Sequence, residues 1–313
     1  MNPVSTNPKG EPSIGVGAST TTKIITIADL NNLKKDRTIL IAGFPGPGLV
    51  GSISTSYIID KLEMYQIAFV ESHYISPGVI FIDGKLRHPF RLYANKEGNV
   101  CVLVCEAPIM MDGTHFVLDA VMDWAIKNSI EEVMVLDGIP VQGIPDSDRK
   151  TVILASENME QNHSSEIKIA ETQSSENSDG ESNRPIKQEG SSQSNFNRNA
   201  IEDSSKKYTT FIGGIAGGLL SSCLSYQIPC AAILIPSSSG IPDPEGASLL
   251  IETFNNFIND DKLKIETTQL REQGQKLKKQ LEQIIKAEQE QRVVGGTGGQ
   301  DEGNVSSHRF MYG

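Results

Sequence analysis

Short apolar runs closed by turn-forming residues set the rhythm of the first 260 positions. Residues 38–44 (TILIAGF) are one such run, continuous and rich in aliphatic side chains, the pattern of a strand buried on both faces. A Gly/Pro-rich turn follows, residues 52–62 read as a helix and 66–70 as a second strand. This stretch therefore predicts one βαβ unit, with a strand or its approach before it at 23–30. Three β-prone runs come next, at 78–83, 90–94 and 100–105, separated by Asp83-Gly84 and Glu97-Gly98-Asn99, which are hairpin turn signals. Residues 114–128 place Phe116, Val117, Ala120, Val121 and Trp124 at helical spacing, and 133–136 and 151–154 are further strands. Beyond them IGGIAGGLL (212–220), PCAAILIP (229–236) and a helix through 247–258 continue the alternation. Crossovers mixed with hairpins predict an α/β fold: a three-layer α/β/α sandwich with a mixed sheet.

Composition marks where this rhythm stops. Residues 1–22 are rich in Ser, Thr, Pro, Gly and Asn without apolar period and are expected to be a disordered lead-in. Residues 157–207 hold 11 Ser, ten acidic and six basic side chains and a single Phe, too little apolar surface to offset the entropy of ordering. They are expected to be a disordered insertion within one domain spanning 23–260, since a long surface insertion adds little closure entropy. From 261 to 292 the period becomes seven: Leu263, Leu270, Leu277 and Ile284, with Leu281 on the same face. That predicts a helical extension about 48 Å long, with Gly274 weakening its middle. The stripe is a candidate oligomerisation surface, as a coiled coil between copies, or else lies on its own domain. Residues 293–313 contain GGTGG and read as a flexible tail ending Phe310-Met311-Tyr312-Gly313.

Charge and cysteine content narrow the function classes. The 313 residues carry a net charge of −11 with no Lys/Arg block, which argues against nucleic-acid binding as the main activity. The longest nearly uncharged apolar stretch, 212–220, has nine residues and four glycines, too few and too flexible to span a bilayer. The first twenty residues lack the apolar core of a secretory signal. Cys101, Cys105, Cys223 and Cys230 show no C-x-x-C spacing, so neither a disulfide scaffold nor a zinc site is expected, and the chain reads as cytoplasmic.

The sharpest chemical motif is Gly46-Pro47-Gly48-Leu49-Val50-Gly51, a G-x-G-x-x-G between strand and helix, with Glu71 twenty residues later where a nucleotide-binding fold places its ribose-binding acid. Against it, Pro47 removes an N–H that would meet a phosphate, and hairpins replace the expected βα units. The other use of these glycines is close packing of a helix on the sheet. Cys101 and Cys105 share one strand face and read as core. The five histidines form no ligand spacing. Asp112-Gly113-Thr114-His115 holds either a catalytic pair or a helix N-cap. Glu106, Asp137 and Asp243 follow strands, where α/β sites lie, but nothing in the sequence pairs them.

The succession FPGPGLVG (44–51), ISPGVIFIDGKLRHPFRLY (75–93), CEAP (105–108), LDGIP (136–140), IGGIAGGLL (212–220) and PDPEGASLLIE (242–252) resembles the proteasome assembly chaperone family, particularly its archaeal members. The likeness covers about residues 24–290 apart from the Ser-rich insertion, which falls where relatives carry a short connection. The resemblance implies a phosphorylase/hydrolase-like α/β/α domain, a C-terminal helical extension, no enzymatic activity and no cofactor. It implies an ATP-independent chaperone or activator, a homo-oligomer, whose partners are α-subunits of the proteasome core particle. Several members end in a hydrophobic-Tyr-X tripeptide that docks on the core particle, and Met311, Tyr312 and Gly313 match it. A nucleotide- or nucleoside-handling enzyme on the same layout is the alternative.

Overall fold

The computed structural model describes residues 22–30, 33, 38–82, 84–164, 211–258, 260 and 263–295. In chain order the elements are β1 (Lys23–Thr26), β2 (Thr38–Gly43), α1 (Val50–Lys61), β3 (Tyr65–Glu71), β4 (Ile80–Ile82), β5 (Lys85–Arg87), β6 (Phe90–Ala94), β7 (Val100–Cys105) and α2 (Thr114–Lys127). Then come β8 (Ile130–Val141), β9 (Val152–Ala155), α3 (Glu157–Asn162), α4 (Gly214–Ser225), β10 (Cys230–Ser238), α5 (Pro244–Ile258) and α6 (Thr268–Gly295).

Eight strands form one sheet in the order β1-β3-β6-β7-β2-β8-β10-β9. Its centre, β7, β2, β8 and β10, is parallel, and the flanking pairs are antiparallel. Every residue of β2, β6 and β7 is buried, as the apolar runs of β2 and β7 require, and β6 carries Arg91 into the interior with them. On one face α2 and α4 pack over Leu40, Leu103, Val133 and Ala232; on the other α1 and α5 cover Ile41, Val102, Met134 and Ile233. The expected three-layer sandwich with a mixed sheet is what forms. Small side chains let α1 and α5 touch: the Ser54 hydroxyl donates to the Ala247 carbonyl at 3.3 Å, and Ala247 and Ser248 are fully buried.

Three helices end without glycine in the left-handed position. Glu63 (φ 46°), Ser129 (φ 56°) and Gln227 (φ 59°) follow α1, α2 and α4. After α1 and α4 the full doubly bonded cap is present: Glu63 N–H reaches Asp60 O and Met64 N–H reaches Ile59 O, and Gln227 and Ile228 repeat the pair onto Leu224 and Cys223.

The packing corrects three readings. The core face of α2 is Val117, Leu118, Val121, Met122, Trp124 and Ala125, while Phe116 is half exposed. The segment expected to be disordered from 157 opens with α3, because Met159 is fully buried against the sheet and His163 contacts Glu132 at 2.9 Å. Residues 165–210, like 1–21 and 296–313, lie outside the described residues, and the disorder and flexibility expected there with them.

The third correction concerns the heptad stripe. The helix begins at Thr268 and not at 261, because the side chain of Asn255 grips Ile265 like a strand partner, donating to its carbonyl at 2.8 Å and accepting its N–H at 3.0 Å. Leu263 therefore precedes the helix, and with Ile265 and Leu270 it is buried in the α5 side of the core. Gly274 is the crossing point of α6 on α5: a Cβ there would lie 2.4 Å from Glu245 N. Leu277 and Leu281 line a cleft of about 30 Å³ with Ile144, Pro145 and Ile241, and the Lys278 ammonium donates to Pro145 O at 2.9 Å. Of the four heptad residues only Ile284 is exposed, at 56%. Through Leu281 the stripe packs on its own domain.

Candidate functional site

Parallel strands deliver their carboxyl ends to one edge of a sheet, and sites on α/β folds gather there. Here the chain leaving β2 passes through residues 44–49, meets the ends of β8 and β10, and enters α1. Gly48 (φ 65°) and Leu49 (φ 50°) are consecutive left-handed residues, which makes the entry abrupt. The loop is tied down by Leu49 N–H to Gly46 O at 3.0 Å and by Asp243 N–H to Gly48 O at 2.8 Å.

The three carboxylates that sequence left unpaired meet around this edge, each already engaged. Asp243 is the N-cap of α5: its Oδ1 accepts the Gly246 N–H at 2.8 Å, ahead of Pro244 in the first helical position. The same oxygen takes the buried Arg149 guanidinium at 2.7 Å, and Oδ2 accepts the Ser237 hydroxyl at 2.9 Å. Asp137 lies over Gly46, its Oδ1 2.4 Å from where a Cβ would stand, and accepts the Gly138 N–H at 2.8 Å. Burial pushes the Asp137 carboxyl up to about 6, the Gly138 hydrogen bond opposing the shift. Glu106 pairs with Arg91, a guanidinium only 1% exposed that also donates to Tyr93 Oη at 2.9 Å and to the His88 carbonyl.

This geometry overturns the nucleotide fingerprint. Protein fills the space a pyrophosphate needs: Cβ atoms at Gly48 and Gly51 would collide with Ser237 Cβ at 2.9 Å and Leu136 O at 2.4 Å. Asp137 and Asp243 would both face the anion. Glu71 stands at the end of β3, which β6 and β7 separate from β2, so it is three strands from the loop it was to serve. The glycines instead bring α1 onto the sheet.

The remaining candidates fall apart in the same way. Burial pushes the Cys101 thiol up to about 12 and that of Cys105 to about 11, as expected of core residues. Neither Asp112 nor Thr114 caps α2; the Thr114 hydroxyl donates back to Met110 O at 3.3 Å, and Asp112 and His115 are exposed. Among the described residues no group of three His, Cys, Asp or Glu is placed to hold a metal ion, and no helix is long and apolar enough to cross a membrane. What stays open is surface. A groove of about 600 Å³ runs along α1, lined by Pro45, Leu49, Ile53 and Tyr57 with Asp60 and Glu106 beside them. Of its acidic flank the sequence marks Glu106 and not Asp60, and the turn signal at Asp83-Gly84 does not tell that the hairpin β4–β5 stands exposed; the fold reveals both. Met311, Tyr312 and Gly313 lie outside the described residues.

No curated protein matches the sequence. Among solved structures, a protein of unknown function from Thermoplasma acidophilum is 28% identical, with a TM-score of 0.58 over 85% of this chain and 92% of that one. Pyrococcus furiosus PbaA, described as an archaeal homolog of proteasome-assembly chaperone, is 18% identical with a TM-score of 0.63 over 87% and 94%. Pyrococcus furiosus PbaB, described as an archaeal proteasome activator, is 17% identical with a TM-score of 0.62 over 85% and 99%. The sequence pattern of the PAC2 family matches residues 40–285, from β2 to the second half of α6, and the chain belongs to that family.

Proposed function

We propose that this protein is an ATP-independent assembly chaperone or activator of the proteasome, working in the cytoplasm without a cofactor and binding α-subunits of the core particle. The observation that carries the reading is PAC2 membership over 40–285, joined to a fold shared with PbaA and PbaB. The site chemistry supports it: the strand-end polar groups bond one another, and among the described residues no serine or cysteine there is paired with a histidine base.

In this proposal Met311-Tyr312-Gly313 is the docking element. The Gly313 carboxylate suits a lysine ammonium, a charge-assisted contact that strengthens when desolvated. Tyr312 offers ring area and a hydroxyl with few rotors to freeze, and Met311 adapts to an apolar wall. Several copies in one assembly would gain affinity through effective concentration. Tyr312→Ala, removal of the last three residues, or one residue added after Gly313 should each weaken binding to purified α-rings at least tenfold, about 1.4 kcal/mol, with the fold unchanged. Undiminished binding by all three would move the contact to the globular surface.

A further inference from the structure

The four cysteines are free and buried, two on β7 and two at the joint between α4 and β10. Cys101 and Cys105 stand four residues apart on one strand, about 13 Å at roughly 3.3 Å per residue, too far to bond to each other. Cys223 and Cys230 are placed differently. Cys230 opens β10 and turns its side chain, with those of Ala232 and Leu234, to the face of the sheet where Cys223 also packs. Its sulfur lies 3.9 Å from the Leu220 carbonyl, one turn of α4 before Cys223. The link between helix and strand folds back tightly, Ile228 N–H donating to Cys223 O at 2.9 Å. The strand end is pinned as well: Cys230 N–H donates to Ser156 Oγ at 3.0 Å, and its carbonyl accepts Ser156 N–H at 2.9 Å. Helix end and strand start thus hold the two thiols in hydrogen-bonding contact.

The contact is asymmetric. The hydrogen bond from Cys223 holds the Cys230 thiol down to about 7, against the opposing effect of burial, and pushes the Cys223 thiol up. At neutral pH one sulfur is therefore largely ionised beside a neighbour that keeps its proton. A thiolate next to a second thiol is the arrangement that peroxide chemistry needs, because the first sulfur attacks and the second resolves. Burial keeps Cys101 and Cys105 protonated and leaves them as an internal control. Cys223 and Cys230 are 0 and 3% exposed, yet residues 224–227, the turn that links them, lie at the surface, a short path for an oxidant as small as peroxide.

We propose that Cys223 and Cys230 are a peroxide-responsive dithiol that closes to an intramolecular disulfide. In the first step the Cys230 thiolate attacks one oxygen of hydrogen peroxide, the O–O bond breaks, and the departing hydroxide takes a proton from solvent to leave as water. Cys230 is then a sulfenic acid. In the second step the Cys223 sulfur attacks the Cys230 sulfur, the S–O bond breaks, and the departing hydroxide takes the Cys223 proton. Two thiols and one peroxide give one disulfide and two waters, the sulfurs losing the two electrons that the peroxide oxygens gain. The new bond ties the last turn of α4 to the first residue of β10, and in a reducing compartment the pair rests as the dithiol.

The test exposes the folded full chain to a few equivalents of hydrogen peroxide, then counts thiols after denaturation and maps peptides by mass; no step involves the proteasome. Wild type should lose two of its four thiols and about 2 Da of mass, and dithiothreitol should restore both. No Lys or Arg lies between Lys207 and Lys262, so trypsin leaves both sulfurs on one peptide, and the mass change should appear there. Cys223→Ser should stop at the sulfenic acid, captured on Cys230 by dimedone, and Cys230→Ala should lose no thiol. The wild-type peptide map decides the matter even where a variant fails to fold. Retention of all four thiols overturns the proposal, as does a disulfide to Cys101 or Cys105, a disulfide between copies, or mass gained on the peptide instead of lost. So does loss of a thiol from folded Cys230→Ala.

Discussion

Replacing Asp137 by Asn removes a buried charge while keeping an oxygen for the Gly138 N–H. Burial raises the carboxyl from 3.8 to about 6, so the folded state holds this proton more tightly than the unfolded chain does. Between those values the native protein binds more protons, and stability falls as pH rises, levelling off above about 6. A shift of about two units corresponds to about 3 kcal/mol at most, since each unit is worth about 1.4 kcal/mol. Urea unfolding of wild type and Asp137→Asn at about pH 4 and about pH 8 isolates this quantity, because any cost of an unpaired amide is the same at both. The variant should gain roughly 2–3 kcal/mol relative to wild type on going from acid to alkaline conditions, several degrees in Tm for a domain of this size. An equal stability difference at the two pH values, or a relative loss at the higher one, would refute the idea that Asp137 is strained by burial against Gly46.

Gly51→Val should destabilise by about 1–3 kcal/mol in denaturant unfolding, because a side chain there meets the Leu136 carbonyl; nucleotide should protect neither form. Gln227→Gly should stabilise by roughly 0.5–1 kcal/mol in the same assay, since it relieves a left-handed non-glycine residue and leaves the backbone bonds of the α4 cap intact.

The strand and helix pattern was legible wherever one residue type dominated a face. The unbroken run in β2 and the turn at Gly98 between β6 and β7 needed no tertiary information, and the ordered motifs pointed to the family. Order within the sheet was not legible: β3 follows β2 through α1, yet two later strands insert between them, a choice made by long-range pairing. Helix ends at Glu63, Ser129 and Gln227 carried no glycine to announce them. Gly274 read as a weakness because its partner, Glu245, lies in another helix. The hydrogen bonds of Asn255, which decide where α6 starts, look in sequence like any polar residue on a helix. At the strand ends, Glu106 and Asp243 were identifiable as acids but not as acids already engaged, since Arg91 comes from β6, Ser237 from β10 and Arg149 from the loop between β8 and β9.

The seating of α6 has a mechanical consequence. Between Gly274 and Leu281 the helix is held at a fulcrum by Glu245, Pro145 and Ser147. Beyond it, residues 282–295 carry the helix on as an arm of about 21 Å. A pull on the end of that arm is multiplied by its length into a torque at the fulcrum, and Glu245 there belongs to the same helical turn that Asp243 caps. Asp243 in turn holds Arg149, Ser237 and the Gly48 carbonyl. Load applied at the end of α6 is therefore delivered to the ends of the central strands and to the loop at the start of α1.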